Sequence, residues 1–257
     1  MKSILLIFIS LILSYTSFAQ RPREVQDQNH FWWSFNTKAK ISGHWSVEAD
    51  LHIRRTNFLK NNNFLYTRLG IGYSFNEQLS VSAGGGRMWL ANKNGATELF
   101  SNENRLVEQV LFNTKAGKIS LTQRLRIEQR WIQKVVNFQP IDATRYVNRF
   151  RYLLAINIPI SDNKKIPSLV LSNELMLQTG KDIIYNNFDQ NRFFIGFKQP
   201  LTKTLSFDMG YMHVWQQKLS GYQYSRNHTI RWFFYWQPDW RQKNKPVSTA
   251  FHLPDEQ

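Results

Sequence analysis

The chain of 257 residues contains no cysteine. That absence excludes a disulfide framework and a lipidated N-terminal cysteine, so packing and hydrogen bonds alone must hold the fold together. Long apolar runs are also missing, since no stretch after residue 20 approaches the roughly 18 uninterrupted apolar residues of a membrane-spanning helix. Any passage through a membrane therefore requires a closed β-barrel, whose strands satisfy one another's backbone groups.

Acidic residues are few, with 18 Asp and Glu against 33 Lys and Arg and a formal net charge of +15. Such an excess raises nucleic acid as a partner, because clustered Lys and Arg neutralise phosphates. The N-terminus argues for export instead: Lys2 precedes the apolar run 4–13, and small residues at 17 and 19 suit a signal peptidase. We predict a cleaved signal peptide over residues 1–19, because the run is too short to anchor the chain across about 30 Å of hydrocarbon. Export excludes nucleic acid from the expected partners.

The chain is rich in a two-residue alternation of polar and apolar side chains. The stretch LTQRLRIEQRW at 121–131 has charged residues at every second position from Arg124 to Arg130 and apolar residues in the other phase. Alternate side chains of a strand leave opposite faces, so this stretch predicts a strand with one charged and one apolar face. The same division recurs along the chain and yields about eleven candidate strands. Aromatic residues make up 15% of the chain, too many for a disordered one.

Two candidate strands keep the alternation less well. Glu108 falls in phase with Leu106 and Val110, which predicts a bulge or a rim position there. The second strand, 79–90, loses its phase at the glycines 84–86. These glycines resemble a phosphate-binding loop only superficially, since no helix follows them, and they indicate a kink or a thin wall.

The lengths of the connections and the positions of the aromatic residues favour a membrane barrel over an exported soluble β-sandwich. Short turns are predicted at 42–43, 76–77, 116–117, 161–165 and 202–203, and longer polar connections near 56–63, 91–99, 134–143, 179–187 and 217–223. Outer-membrane barrels alternate short periplasmic turns with longer external loops in this way. The predicted aromatic girdle, near the strand ends on the apolar face, consists of Trp45, Tyr73, Trp89, Trp131, Trp215, Trp232 and Trp236. A sandwich would place such residues at mid-strand.

We therefore predict an all-β fold, an antiparallel up-and-down transmembrane β-barrel over residues 20–237, in the outer membrane of a Gram-negative bacterium. Both termini in the periplasm demand an even number of strands. Eleven candidates then mean ten or twelve strands, and we favour twelve. Residues 238–257 form a basic tail, expected in the periplasm. The expected partners are outer-membrane lipids, lipopolysaccharide and the barrel-assembly machinery.

The charged faces of the strands point into the predicted lumen. Arginine prevails over lysine there, which suits fixed bidentate pairing with carboxylates in a confined interior. The predicted lumen charge network consists of Glu48, Asp50, His52, Arg54, Arg68, Glu103, Arg105, Arg124, Arg126, Glu128, Arg130, Arg149, Arg151, Glu174, Arg192, Asp208 and Arg231. If strands 118–133 and 143–160 form a hairpin, cations outnumber anions on that wall. The lumen must then be hydrated, or carboxylates must pair across it, which is the arrangement we favour.

The order and spacing of several segments resemble the DUF2490 family of outer-membrane β-barrel proteins of unknown function. The resemblance covers nearly all of residues 30–237 and rests on the Trp32–Trp33 strand, the Glu48 to Arg54 strand, and the segments ENRLVEQ, RLRIEQRW, RFRYLL, NELML, QNRFFIGF and RNHTIRWFFYW. It implies a fold and a location. It implies no chemistry, because the family has no settled activity.

The sequence offers little that would carry catalysis. Asp50 and His52 share one face of a strand, about 6.6 Å apart, close enough for a carboxylate to orient an imidazole. No serine nucleophile can be assigned to them, and a lumen histidine with satisfied hydrogen bonds is the simpler interpretation. The six histidines are scattered without a metal-ligand spacing, so we predict no metal, cofactor or catalytic residue. The expected function is structural, or that of a narrow channel for small solutes, anions included; the alternative is a barrel enzyme acting on lipid or lipopolysaccharide.

Overall fold

The computed structural model describes residues 22–163 and 166–241. The predicted signal peptide and residues 242–257 of the predicted tail lie outside this part of the chain. The described residues form eleven strands: β1 (Glu24–Lys40), β2 (Trp45–Thr56), β3 (Asn61–Ser74), β4 (Leu79–Asn94), β5 (Thr97–Ala116), β6 (Ile119–Val136), β7 (Gln139–Pro159), β8 (Ser168–Thr179), β9 (Phe188–Pro200), β10 (Leu205–Gln217) and β11 (Gln223–Trp236). None of these residues forms a helix long and apolar enough to cross a membrane.

The eleven strands close into one barrel in which each strand pairs with its neighbours in sequence and β1 pairs with β11. The predicted all-β barrel is thus confirmed, and its strand number lies within the expected range of ten to twelve. The even number that we favoured does not occur, because β1 and β11 run parallel, from Glu24 beside Gln223 to Thr37 beside Trp236. All other neighbouring pairs are antiparallel.

This parallel closure separates the two ends of the described chain. Residue 22 lies where β1 begins, which we call the N-terminal end of the barrel, and residue 241 lies where β11 ends, the C-terminal end. The expectation that both termini share one side is therefore wrong for the described residues. The prediction failed because the parity rule holds only when the closing pair of strands is antiparallel.

The predicted alternation of short and long connections holds only in part, because some of the connections expected to be long are short. At the N-terminal end, β4–β5 and β6–β7 are joined by two-residue turns at 95–96 and 137–138. Asn137 and Phe138 both adopt positive φ, at 46° and 64°, as a tight hairpin turn requires. The polar segments near 91–99 and 134–143 are extensions of these strands, and their backbone groups are paired almost to the turns. Longer connections do occur at 180–187 and 218–222.

The two irregular candidates prove to be continuous strands. The register between β5 and both of its neighbours runs without a shift past Glu108, so the expected bulge is absent and Glu108 lies on the outward face. In β4 the glycines continue the strand and admit a close approach: Gly84 lies opposite Gly70 of β3. A Cβ atom on Gly86 would lie only 2.6 Å from the Tyr66 hydroxyl, so this glycine makes room for the ring.

The start of the predicted tail returns to the barrel instead of leaving it. The backbone N–H of Lys40 donates to the Pro238 carbonyl at 3.0 Å, and that of Trp240 donates to the Lys40 carbonyl at 2.9 Å. Trp240 also packs edge-on against Trp236. Hydrogen bonds from Arg241 lower the pKa of the Asp239 carboxyl to about 2. These contacts extend the sheet slightly at the C-terminal end.

Candidate functional site

The structure places the predicted lumen charges inside the barrel, where most form contacts with one another. Three carboxylates serve as centres for several guanidinium groups: Glu103, Glu128 and Glu174 are all buried, with Glu103 and Glu128 at most 1% exposed. A buried carboxylate is tolerated only when cations and hydrogen bonds compensate for its lost hydration. Each centre therefore organises the arginines around it.

Glu128 of β6 is the most densely surrounded of the three. Arg149 of β7 donates to its Oε2 through Nε, at 2.8 Å, and through Nη2. Arg151 donates to Oε1 at 2.5 Å, and Arg105 and Arg126 approach within 3.7 and 3.8 Å. β6 and β7 do pair as an antiparallel hairpin, the condition set in the sequence analysis, and this brings Arg149 directly opposite Glu128.

The other two centres link further strands to this one. Glu174 of β8 accepts from Arg124 at 2.6 Å and from Arg151 at 2.7 Å, and Arg192 lies 3.3 Å from its second oxygen. Arg151 thereby bridges Glu174 and Glu128. Glu103 accepts from Arg105 at 2.5 Å and from Arg130 at 2.6 Å. The network thus runs continuously from β5 to β9.

Two further groups of charges lie outside this network. On β2 and β3, Arg68 donates to Asp50 at 2.7 Å and to Glu48 at 2.9 Å. Arg231 pairs with Asp208 at 2.6 Å, and the Tyr235 hydroxyl donates to the same carboxylate at 2.7 Å. Glu48 is also 3.4 Å from the amide nitrogen of Gln109, across three strand positions of the barrel.

Sequence reasoning missed Asp189, which pairs with Arg149 at 3.1 Å. Between β8 and β9 the register shifts, so that Met176 faces Gln190 while Leu177 faces Phe188. Asp189 is the extra residue of this bulge, and both it and Gln190 are buried. A strict two-residue alternation assigns only one of two adjacent residues to the interior, so no sequence pattern identified Asp189.

The interior also has an apolar sector that the polar faces did not predict. Trp32, Val170, Phe194, Met212 and Val214 form a buried cluster on β1 and β8–β10. At the N-terminal end, Ile183 of the β8–β9 connection packs on Ile132 and Val147. Apolar packing therefore fills part of the lumen and covers part of one end.

Asp50 and His52 do not form the orienting pair that a hydrolase would need. Asp50 is bound by Arg68, and His52 packs against the rings of Tyr66 and Phe233, at 5.5 and 5.9 Å. The His52 Nδ1 atom is buried without a hydrogen-bond partner among the described residues, so the expectation of a satisfied lumen histidine is wrong. The described residues contain no cluster of three potential metal ligands.

Arg54 differs from the other interior arginines. Its guanidinium carbon lies 3.3 Å from the centroid of the Trp32 ring and 4.8 Å from that of Phe64. The side chain is buried, yet no ion pair or hydrogen bond to it occurs in the described part of the chain, and Nε is wholly unsatisfied. Arg54 faces a cavity of about 320 Å³ that Trp32, Arg124, Arg126 and Arg192 also line.

The predicted aromatic girdle residues fall into two groups near the two ends of the barrel. Trp45, Tyr73, Trp232 and Trp236 lie toward the C-terminal end, where the Trp45 and Tyr73 rings meet edge to face at 5.0 Å. Trp89, Trp131 and Trp215 lie toward the N-terminal end. There the Trp215 ring stacks on Tyr224, with 5.2 Å between centroids.

Comparison with known protein families identifies a match. A family model described as "Protein of unknown function (DUF2490)" matches residues 29–226, which is most of the barrel. No curated protein and no solved structure matches the chain significantly.

Proposed function

The chain belongs to the DUF2490 family of proteins of unknown function, and from this premise we propose that it is a non-enzymatic outer-membrane β-barrel whose filled lumen admits only small solutes. Its lipid contacts and its assembly by the barrel-assembly machinery follow from that proposal.

The distribution of apolar side chains supports the membrane location. Large apolar residues are exposed on the outward faces of strands around the whole barrel, with Leu69 at 65% and Leu125 at 59% exposure. The interior holds most of the charged side chains of the strands. A water-soluble protein rarely exposes a contiguous apolar patch beyond a few hundred Å². A charged interior inside an apolar wall is the arrangement of a barrel surrounded by lipid.

The observation that carries the functional proposal is the ion-paired interior. The network centred on Glu103, Glu128 and Glu174 spans five strands, and its carboxylates are buried under the guanidinium groups. In a barrel of eleven strands, long inward side chains leave little open space in the lumen. The Ile183 contact narrows the N-terminal end further. We infer a lumen too narrow for general diffusion.

Cell fractionation tests the location. We expect the mature protein to collect with the outer membrane and to migrate differently on gels before and after boiling, because a folded barrel resists detergent. Recovery as soluble periplasmic protein would contradict the proposal.

Two further assays separate the proposed function from that of a barrel enzyme. In planar bilayers the purified protein should conduct far less than an open, water-filled pore, and in detergent it should not hydrolyse phospholipid or lipopolysaccharide. Large stable conductance steps would show an open lumen, and specific hydrolysis would show an enzyme.

Glu108 allows a test of whether the outward face of the barrel contacts lipid hydrocarbon. This carboxyl group lies between Leu106 and Val110 on β5, beside an outward groove that Leu69 and Leu125 also line. Replacing it by leucine removes a polar group from the apolar belt, so we expect Glu108→Leu to raise the free energy of unfolding in lipid vesicles by about 1 kcal/mol.

The control is Glu77→Leu, in the turn between β3 and β4. A change at such a surface position is expected to stay within about 0.5 kcal/mol. Equal effects of the two substitutions would show that the Glu108 face does not contact hydrocarbon.

A further inference from the structure

The interior cavity carries an imbalance of charge. Among the described residues, nine arginines and four carboxylates line its volume of about 320 Å³. That volume is at the lower end of the roughly 300–1,000 Å³ typical of small-molecule sites. An excess of buried cations is costly unless water or a bound anion compensates for it. The cavity thus has both the space and the charge for a small anion.

Arg54 concentrates this excess at one wall of the cavity. It has no carboxylate partner among the described residues, and its stacking on Trp32 leaves the edge of the guanidinium group without an acceptor. Arg192 lies over the same indole ring, at 4.9 Å, so two guanidinium groups share one aromatic platform. The platform holds the two cations at fixed positions, which lowers the entropy cost of binding a ligand.

The carboxylates nearby are already shared and cannot neutralise these cations. Glu174 is bound by Arg124, Arg151 and Arg192 together, so one negative charge serves three guanidinium groups. Arg124 still has an Nε atom without an acceptor. The Arg126 guanidinium donates to the neutral Gln109 amide oxygen, at 2.7 and 3.0 Å, and lies 3.8 Å from Glu128.

We propose that this cavity binds a small, multiply charged oxyanion of the phosphate class, with Arg54 as the residue that binds it most specifically. A guanidinium group presents parallel N–H donors that match two oxygens of a phosphate, and a doubly charged ligand offsets more of the excess than chloride does. The inference rests on the proposed function in one respect, since the ligand is taken to be a small solute that enters the lumen. A lipid headgroup is disfavoured because its acyl chains would have to cross the barrel wall.

The test is titration calorimetry of the folded protein in detergent micelles with inorganic phosphate, at constant ionic strength. We expect saturable binding with one site per chain, and no saturable heat with chloride. Arg54→Gln should weaken phosphate binding at least tenfold. This substitution breaks no ion pair, so the variant should fold, and altered gel migration before boiling verifies that it does.

Lys198→Gln is the matched control. Lys198 is an interior cation near the Tyr235 ring, has no ion pair among the described residues, and does not line the cavity. We expect its phosphate affinity to stay within twofold of the parent protein. Equal weakening by both substitutions would show a general effect of charge and would overturn the assigned site, as would unchanged affinity in Arg54→Gln.

Thermal unfolding of the parent protein tests phosphate binding without any substitution. Phosphate should raise the thermal unfolding midpoint at constant ionic strength, and chloride should not. Equal shifts with both salts would overturn the proposal. Phosphate binding in micelles without conduction in bilayers would support the binding site and contradict the passage of solutes. Conduction without phosphate binding would support the passage of solutes and contradict the binding site. Short-chain phospholipid, added as a further probe, should not compete with phosphate; competition would assign the site to a lipid headgroup.

Discussion

Replacing Arg149 by glutamine should lower the free energy of unfolding by about 3–5 kcal/mol, the usual cost of removing one partner of a buried ion pair. Arg149 makes two hydrogen bonds to Glu128 and one to Asp189, and all three residues are buried. The substitution leaves Asp189 without its guanidinium partner and removes the closest cation of Glu128. Glutamine is shorter and neutral, so it cannot replace either interaction.

Urea titration of the barrel in lipid vesicles measures this loss. The control is Arg226→Gln. This substitution removes a bidentate ion pair with Asp27 at an exposed position. An exposed ion pair contributes about 0–1 kcal/mol, so this control should change little. Similar losses in the two variants would show that the interior is hydrated and its charges are screened.

Arg126 should contribute less to stability than Arg149, although the sequence placed both residues in the predicted lumen charge network. Its hydrogen bonds go to the uncharged Gln109, and Glu128 keeps Arg149 and Arg151 when Arg126 is lost. We therefore expect Arg126→Gln to destabilise the barrel less than Arg149→Gln.

Leu125→Arg should cost about 2–4 kcal/mol if Leu125 lies near the midplane of the bilayer, because it puts a cation into hydrocarbon. Leu125 is on the outward face of β6, next to Val110 of β5 and Tyr152 of β7. No carboxylate lies directly opposite position 125 on either neighbouring strand, and the outward-facing Glu108 is one diagonal step away on β5. The same change on a water-exposed face would cost far less.

Thr122→Arg supplies the matched comparison on the same strand. Thr122 faces inward and its hydroxyl donates to Asn113 at 2.7 Å, so the new cation would enter a polar environment. Refolding titrations in vesicles should rank Leu125→Arg as the more harmful change. The opposite ranking would mean that the charged face of the barrel contacts the lipid.

Most of the secondary structure could be predicted because alternation is a local property. The candidate strands overlap the eleven observed strands, and the in-phase charges of 121–131 share the inward face of β6. Glu108 was misjudged for a different reason. An acidic residue in the apolar phase suggested a bulge or a rim position, whereas the register is regular there and the carboxyl group faces outward.

The alternation indicated which charged side chains face the interior, Asp189 excepted, but not which of them pair. Arg124 and Glu174 are 50 residues apart in sequence, and Arg149 and Asp189 are 40 apart. Which charges meet depends on the register of strands and on the barrel curvature that brings β6 near β8. Asp189 enters the network only because a bulge turns two adjacent side chains inward.

The amino-acid sequence by itself determined that the chain forms strands with one charged and one apolar face, because the period of side-chain direction is built into an extended backbone. Only the tertiary structure decided how the barrel closes, since the parallel pairing of β1 with β11 joins residues about 200 positions apart and leaves no local pattern. It also decided which arginine remains without a carboxylate. Arg54 looked equivalent to the other charges on its strand, and its isolation over Trp32 follows from the positions of side chains on distant strands.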